Sequence, residues 1–256
     1  MATTTYHPEF FANTESLDSA NEIIPLIKSF VQPNSVLDVG CSNGAWLSAW
    51  EKNGVKDILG LDGDYIKKDN LLVDPKYFIE TDLEKTFDTG RTFDIVTCLE
   101  VAEHIRPAFA ATLVDSISRC GDLVLFSAAI PDQEGTGHYN EQFPAYWIEL
   151  FGKKDFKPFD CLRDTIWNNE KIGWWYRQNI FFFVRNSAID RYPAITNRQP
   201  GILPLVHPEL LKKKQQRIDQ FEKTMGNPFR AVTYLARRYF NAISHRIKGG
   251  KNKNAL

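Results

Sequence analysis

The sequence predicts an α/β protein with a doubly wound, mainly parallel sheet. Two observations lead to this prediction: segments typical of strands and helices alternate between residues 15 and 126, and the strand segments are almost wholly apolar. Strands of that composition are buried on both faces, as in parallel sheets covered by helices. With 256 residues, 43% of them hydrophobic, the chain can bury such a core without disulfides or metals.

Apolar periodicity and turn residues delimit the elements of this first part. The predicted helices span residues 15–31, 43–53 and 107–120, and the predicted strands span 35–39, 57–61, 77–79, 93–98 and 122–126. Pro25 lies inside the first helix, where we expect it to cause a kink. Gly121 is expected to end the third helix.

The sequence of residues 144–184 predicts a different strand arrangement. A helix is expected at 144–154, followed by strands at 161–166 and 174–184 with the turn sequence N-N-E-K between them. Two strands so close in sequence form an antiparallel hairpin. We therefore expect this pair at one edge of the sheet.

Charge is divided unevenly along the chain. From Leu205 onward there are twelve Lys and Arg against three acids, a net charge of +9, while the preceding residues carry nineteen basic and twenty-nine acidic side chains, a net charge of −10. We divide the chain into an N-terminal helical cover at 1–34, a main domain at 35–186, and a linker with a basic tail at 187–256. An acidic main domain argues against a nucleic-acid groove, so no nucleic-acid partner is expected.

The basic tail contains a predicted amphipathic helix at 228–248, with apolar residues on one face and most basic residues on the other. Two interpretations stay open: the apolar face packs on the acidic body or on a second subunit of a homo-oligomer, or the helix lies on an anionic membrane surface. At the other terminus, Tyr6, Phe10 and Phe11 are interpreted either as a lid over a ligand or as an aromatic staple on the core.

The sequence also bears on the compartment. None of the four cysteines is in C-x-x-C spacing, and neither a signal peptide nor a membrane-spanning apolar run is recognised. We therefore expect a reduced, cytoplasmic protein that the tail can bring to the inner membrane surface.

The strongest motif is V-L-D-V-G-C-S-N-G at residues 36–44, where a strand ends and a helix begins. Gly40 and Gly44 have no Cβ, so backbone amides can approach a ligand closely, and the helix N-terminus favours a negative group. Asp62 lies about 20 residues further on at the next strand end, the spacing of a ribose-diol acceptor. The segment predicts a nucleoside-type cofactor.

These residues and three later motifs resemble the class I S-adenosylmethionine-dependent methyltransferases. D-V-G-C-S-N-G is similar to their first motif, with Ser42 where the middle glycine usually stands; L-D-G-D, T-D-L and F-D-I-V-T-C-L-E-V-A-E-H-I are similar to the motifs that follow. The resemblance implies a seven-stranded Rossmann-like sheet with an antiparallel last strand, and S-adenosyl-L-methionine as the cofactor. The cofactor-binding residues it implies are Asp38, Gly40, Ser42, Gly44, Asp62, Asp82, Leu83 and Glu100.

Two competing classes fit the sequence less well. A dinucleotide-binding enzyme needs G-x-G-x-x-G, whereas this chain continues from G-C-S-N-G into Ala45. A nucleic-acid amino-methyltransferase resembles D/N-P-P-Y/F after the fourth strand, whereas this chain has L-E-V-A-E-H.

Candidate catalytic residues follow the fourth and fifth strands, whose carboxyl ends should meet at one edge of the sheet. In the loop at 127–147, His138 is the candidate general base, and Glu141 can orient its imidazole or act as the base itself. His104 is a third candidate for contact with the acceptor. Its neighbour Glu103 can equally cap or pair on a helix surface.

Other candidates concern metals and the acceptor. Asp132, Glu134, His138 and Glu141 lack metal-site spacing, so no metal is expected there. Arg163 and Tyr176 are acceptor-site candidates, because an aromatic face and a guanidinium suit a carbohydrate with an anionic group.

The loop and the segment after it resemble methyltransferases of bacterial glycan and natural-product pathways. We therefore expect O-methylation of a sugar or another glycan-linked small molecule. N-methylation of a small molecule and a non-catalytic S-adenosylmethionine-binding assembly protein remain the alternatives.

Overall fold

The computed structural model describes residues 14–236, 238 and 239. The chain divides into two units, Met1–His207 and Pro208–Leu256, which are described separately. The candidate lid residues Tyr6, Phe10 and Phe11 lie outside the described residues, as does the end of the predicted tail helix.

A seven-stranded sheet forms the centre of the first unit, in the order β3-β2-β1-β4-β5-β7-β6. The strands are β1 Ser35–Val39, β2 Asp57–Asp62, β3 Phe78–Glu80, β4 Ile95–Leu99, β5 Leu123–Ser127, β6 Phe156–Phe159 and β7 Phe181–Arg185. The first five strands pair in parallel, and β7 runs antiparallel to both of its neighbours. The predicted sheet with its antiparallel last strand is confirmed.

Helices cover the sheet and follow the strands. The α-helices are α1 Glu15–Phe30, α2 Ala45–Lys52, α3 Ala110–Cys120, α4 Pro144–Gly152, α5 Arg163–Ile166, α6 Trp174–Asn179, α7 Pro193–Thr196 and, in the second unit, α8 Pro208–Met225. Short 3₁₀ turns lie at Lys68–Asn70, Pro75–Tyr77, Ala102–His104, Pro107–Phe109 and Asn186–Arg191. Helix α1 runs through Pro25 without a break.

The core lies on both faces of the sheet. Along β5, Leu123 and Leu125 join one cluster of buried apolar side chains, while Val124 and Phe126 join the other. This alternation follows from the two-residue period of a strand, and both faces are apolar because helices cover both. The strand segments are continuously apolar because both of their faces are buried.

The predicted hairpin at 161–166 and 174–184 is wrong in its position. The antiparallel pair consists of 156–159 and 181–185, and the segment between them contains the short helices α5 and α6. Apolar residues at short intervals fit a strand as well as one or two helical turns, so periodicity alone misassigned them. Pro158 in β6 suits its place in the edge strand, where a missing N–H is tolerated.

The first unit extends beyond the main domain expected from the sequence. Residues 187–207 belong to it: Ile195 is fully buried in the core, and the backbone N–H of His207 donates to Oε1 of Gln178 at 2.7 Å. These contacts attach residues 187–207 to the sheet domain, although the sequence analysis assigned them to the linker.

The second unit contains α8 and a further helical stretch at 228–236. This stretch confirms the start of the predicted helix at 228–248, whereas residues 240–248 lie outside the described part of the chain. Within the described residues, every helix falls short of the length and apolarity needed to cross a bilayer.

Candidate active site

The candidate site lies where the parallel strands reach their carboxyl ends. The glycine loop follows β1, Asp62 ends β2, Glu100 follows β4, and the loop at 128–143 follows β5. In an open α/β sheet this edge is where ligands bind. The sheet topology therefore brings together segments that are up to about a hundred residues apart in the chain.

The glycine loop has the backbone conformation that its sequence indicates. Gly40 and Gly44 have φ values of +80° and +78°, in the left-handed region that favours glycine. A Cβ at Gly40 would lie only 2.3 Å from Cγ2 of Val101, so a side chain has no room there. Ser42 also has a positive φ of 49°, at the position where a glycine is usual in the family it resembles.

Asp62 connects this loop to the end of β2. Its buried carboxylate accepts the backbone N–H groups of Ser42 and Gly63, each at 2.7 Å, and the hydroxyl of Tyr65 also donates to it. Burial raises the pKa of Asp62. The predicted acceptor for a ribose therefore lies at the loop, with a tyrosine hydroxyl on one of its oxygens.

Asp38 lies near Asp62, and the turn after β3 is joined to Asp62 by a hydrogen bond from the backbone N–H of Thr81 to its carbonyl oxygen. The carboxylate of Asp38 is buried within β1 and accepts the hydroxyl of Thr97 at 2.6 Å; burial raises its pKa to about 7. Asp82 is exposed and pairs with Lys85 at 3.1 Å, while Leu83 is buried in the core. The carboxylate of Asp82 thus pairs with a side chain of its own turn. A contact between Asp82 and the cofactor stays a prediction.

Glu100 is the centre of an amide-rich cluster. Its carboxylate accepts Nε2 of Gln133 at 2.9 Å and Nδ2 of Asn179 at 3.1 Å, and Gln178 donates in turn to Oε1 of Gln133 at 3.1 Å. Burial raises the pKa of Glu100. Its φ of 55° directs the chain into the 3₁₀ turn that carries Glu103 and His104.

His138 and Glu141 form the pair that the sequence suggests. Nδ1 of His138 lies 2.8 Å from Oε1 of Glu141, and the second carboxylate oxygen accepts the backbone N–H of Asp132 at 2.8 Å. An ionised carboxylate only accepts hydrogen bonds, so Nδ1 carries the proton and Nε2 holds a lone pair. Glu141 therefore orients the imidazole of His138.

His104 packs edge-on against His138, with ring centroids 4.8 Å apart. Its Nδ1 lies 3.2 Å from the carbonyl oxygen of Gly137. Burial is the main cause that lowers the pKa of His104 to about 4. The His104 imidazole is therefore neutral at physiological pH.

Glu103 differs from the sequence expectation. It is fully buried rather than on a helix surface, and neither carboxylate oxygen has a hydrogen-bond partner. Its backbone carbonyl accepts the N–H groups of Tyr139 and Asn140 at 2.8 and 2.9 Å, which holds the loop carrying His138 against this turn. Burial and the charge of Glu100 raise the pKa of Glu103 well above its usual range.

Two acceptor-site candidates have structural partners instead. The buried guanidinium of Arg163 donates to Asp160 and to the carbonyls of Gln178 and Leu203. The buried hydroxyl of Tyr176 accepts Nε1 of Trp46 at 3.2 Å, and burial raises its pKa to about 12. Both side chains use their polar groups inside the protein, so neither has the geometry of an acceptor contact.

Sequence reasoning overlooked three contributions to this site: the burial of Glu103, the hydroxyl of Tyr65 on Asp62, and the contact between Thr97 and Asp38. For Glu103 the available signal was its short spacing from Glu100 and His104 after an apolar strand. That spacing alone could not distinguish a turn on the surface from a buried turn.

Comparison with known proteins agrees with this geometry. A protein family described as a methyltransferase domain matches residues 18–178, more than half of the chain. The chain belongs to this family. It is a class I S-adenosylmethionine-dependent methyltransferase, and S-adenosylmethionine is its methyl donor.

Individual relatives are more distant. The ubiquinone biosynthesis O-methyltransferase of Aliivibrio fischeri is 30% identical over an alignment of 102 residues, and the match covers 33% of this chain and 42% of that protein. The match therefore spans less than half of this curated relative.

Two solved structures share the fold. CalS10, an amino pentose methyltransferase from Micromonospora echinaspora, is 16% identical with a TM-score of 0.52, covering 71% of this chain and 98% of its own. DesVI of Streptomyces venezuelae is 13% identical with a TM-score of 0.52, covering 69% and 94%.

The residues present fit the cofactor. The loop at 40–44 has no side chain at its two tightest points, and Asp62 offers a buried carboxylate at the end of β2. When bound, S-adenosylmethionine supplies a methyl group on a positively charged sulfur. Gly40, Ser42, Gly44 and Asp62 are the residues that would hold it.

Proposed function

We propose that the enzyme transfers a methyl group to a hydroxyl of a sugar or another glycan-linked small molecule. The observation that carries this proposal is the pair formed by His138 and Glu141 beside His104 at the carboxyl edge of the sheet. A hydroxyl is a poor nucleophile, and a neutral imidazole held in one tautomer can accept its proton during attack.

The orientation of His138 supports the role of proton acceptor. Nδ1–H of His138 donates a hydrogen bond to Glu141, so the lone pair is on Nε2, and the side chain of His138 is 12% exposed. As a proton reaches Nε2, the carboxylate of Glu141 stabilises the imidazolium that forms. Alignment of the acceptor oxygen with the methyl group supplies much of the remaining acceleration.

A sugar acceptor is supported by the polar character of the site and, at the level of the fold, by one structural neighbour. The loop that carries His138 also places the half-buried side chain of Gln133 on Glu100 at this edge, and polar groups of this kind suit a ligand with several hydroxyls. CalS10 is named as an amino pentose methyltransferase, and the curated relative as an O-methyltransferase. N-methylation of an amino sugar is the second candidate, since an amine uses the same proton acceptor.

The test is a transfer assay with labelled S-adenosylmethionine against sugars, nucleotide sugars, amino sugars and lipid-linked glycan extracts. We expect label in a sugar product, and analysis of the methylated position distinguishes O-CH₃ from N-CH₃. Label confined to the protein, or absent from every carbohydrate while a non-sugar compound is methylated, would contradict the proposal.

A further inference from the structure

We propose that Glu103, His104 and His138 form a binding site for one divalent transition-metal ion. One ligand atom from each of these residues lies within 4.8 Å of the others. An ion held about 2.1 Å from each atom keeps them about 3.0 to 4.2 Å apart, so side-chain adjustments on the order of 1 Å close the site.

The two imidazoles are presented as metal ligands are. Nδ1 of His138 donates to Glu141, and Nδ1 of His104 donates to the carbonyl of Gly137. Metal-binding histidines usually donate their second ring nitrogen in this way, to a carboxylate or a backbone carbonyl. In both residues this arrangement places the lone pair on Nε2.

The third ligand provides an independent observation. Both carboxylate oxygens of Glu103 are buried and lack a hydrogen-bond partner, and the residue is 0% exposed. Buried polar groups in native proteins are nearly always paired, because an unpaired one is costly. A cation between the carboxylate of Glu103 and the two imidazoles would give these oxygens a partner.

The backbone holds the three ligands together. Glu103 and His104 lie on one 3₁₀ turn, and the loop with His138 is bound to that turn through two N–H groups donated to the carbonyl of Glu103. Gly135 lies against the His138 ring, and a Cβ built there would be 2.1 Å from Nε2. The absence of a side chain at Gly135 thus leaves room at the nitrogen that would bind the ion.

The donor set indicates the class of metal. Two imidazole nitrogens and one carboxylate oxygen suit Mn²⁺, Fe²⁺, Co²⁺ or Zn²⁺ better than Mg²⁺ or Ca²⁺, which prefer oxygen ligands only. Three protein ligands leave coordination positions open for a small molecule.

The role of the ion rests on the proposed function. The ion binds the acceptor hydroxyl and lowers the pKa of that hydroxyl, whose proton leaves to solvent. The oxygen lone pair then forms the O–CH₃ bond, while the electrons of the breaking S–CH₃ bond remain on sulfur, giving S-adenosylhomocysteine. Nε2 of His138 has one lone pair, so it is the direct proton acceptor only in the chain without the ion. In the metal-loaded enzyme it is a ligand, and the ion activates the hydroxyl instead.

The test is a titration of the chelator-treated full chain with Co²⁺ alone, followed by visible absorption and calorimetry. We expect one Co²⁺ per chain, with at least tenfold weaker binding for Glu103→Gln, His138→Ala and Gly135→Ala. The matched control is Glu134→Gln, which removes an exposed carboxylate from the same loop and should leave binding unchanged.

Several outcomes would overturn the proposal. These are absence of stoichiometric binding by the wild-type chain, equal binding by Glu103→Gln and the wild type, or equal loss in Glu134→Gln. Circular dichroism verifies folding, and Gly135→Ala keeps all three ligands should Glu103→Gln fail to fold. A chain that binds no Co²⁺ but loses turnover in His138→Ala would refute the metal site and leave the proposed function intact.

Discussion

The carboxylate of Asp62 accepts the backbone N–H of Ser42 at 2.7 Å, across twenty positions of sequence. This bond fastens the middle of the glycine loop to the end of β2. The same carboxylate also accepts Gly63 N–H and the hydroxyl of Tyr65. Asp62 therefore shapes the loop and is also the predicted contact for the cofactor.

Removal of this carboxylate should weaken cofactor binding. For Asp62→Ala we expect S-adenosylhomocysteine to bind more weakly by about 2 to 3 kcal/mol, since hydrogen bonds to a charged group are lost. Isothermal titration calorimetry measures this, with Asp64→Ala, an exposed neighbour, as the control. Equal affinity of Asp62→Ala and the wild type would remove Asp62 from the cofactor site.

Tyr65 should compete with the cofactor for Asp62. A carboxylate has about four acceptor positions, and three of them are used by Ser42, Gly63 and Tyr65. Two ribose hydroxyls need two positions, so the tyrosine hydroxyl must leave. We expect Tyr65→Phe to bind S-adenosylhomocysteine about 3- to 10-fold more tightly, since one hydrogen bond of about 1 kcal/mol no longer has to be broken. Weaker binding by this variant in calorimetry would argue that Tyr65 itself contacts the ligand.

Asp38 should make stability depend on pH. Its folded-state pKa of about 7 lies above the usual 3.8, so between these values the folded chain binds a proton that the unfolded chain has released. The free energy of unfolding therefore falls as pH rises through this window, by a few kcal/mol on the order of the pKa shift. Asp62 and Glu100, whose pKa values are also raised, act in the same direction.

The measurement is urea unfolding of the wild type and Asp38→Asn at about pH 5 and about pH 8. The asparagine variant should lose part of the pH dependence, because it has no carboxylate to ionise. Asp64→Asn, which changes an exposed carboxylate, should retain it. Identical pH profiles for Asp38→Asn and the wild type would show that Asp38 does not ionise in this range.

His138 should affect turnover and leave cofactor affinity unchanged. We expect His138→Ala to lower kcat by about 10²-fold or more at saturating acceptor, the typical contribution of a positioned acid or base. S-adenosylhomocysteine affinity, measured by calorimetry, should stay within error. Glu134→Gln on the same loop should keep its kcat, whereas an undiminished kcat in His138→Ala would transfer the role to Glu141 or His104.

The second unit should mediate self-association. Phe229, Val232 and Leu235 are 87%, 68% and 54% exposed, and adjoining exposed apolar side chains are typical of an association surface. A second copy of the chain offers an acidic body of net charge −10 to a basic tail of +9. We expect light scattering to show a dimer for the full chain and a monomer for a chain ending at His207.

The alternative partner of the tail is an anionic membrane. A monomeric full chain that floats with anionic liposomes at low and physiological salt, while the chain ending at His207 does not, would replace the dimer by the membrane interpretation. A full chain that neither dimerises nor floats would contradict both.

Local sequence determined the sheet, the glycine loop and the class of cofactor. Burial on both faces of the sheet requires apolar runs, and the tight turns after the strands require glycines. Each of these constraints leaves a pattern that is visible in the local sequence. Periodicity wrongly assigned strands to 161–166 and 174–179, because a few buried residues fit either a strand or a short helix, whereas 181–184 does form a strand.

Only the tertiary structure decided what surrounds the candidate catalytic histidine. Glu103 and His138 are thirty-five positions apart, and they meet because β4 pairs with β5 and the loop after β5 donates two N–H groups back to the carbonyl of Glu103. The same holds for Arg163, whose guanidinium is directed to backbone carbonyls rather than to a ligand. Contacts of this kind depend on long-range pairing, which no local pattern of residues encodes.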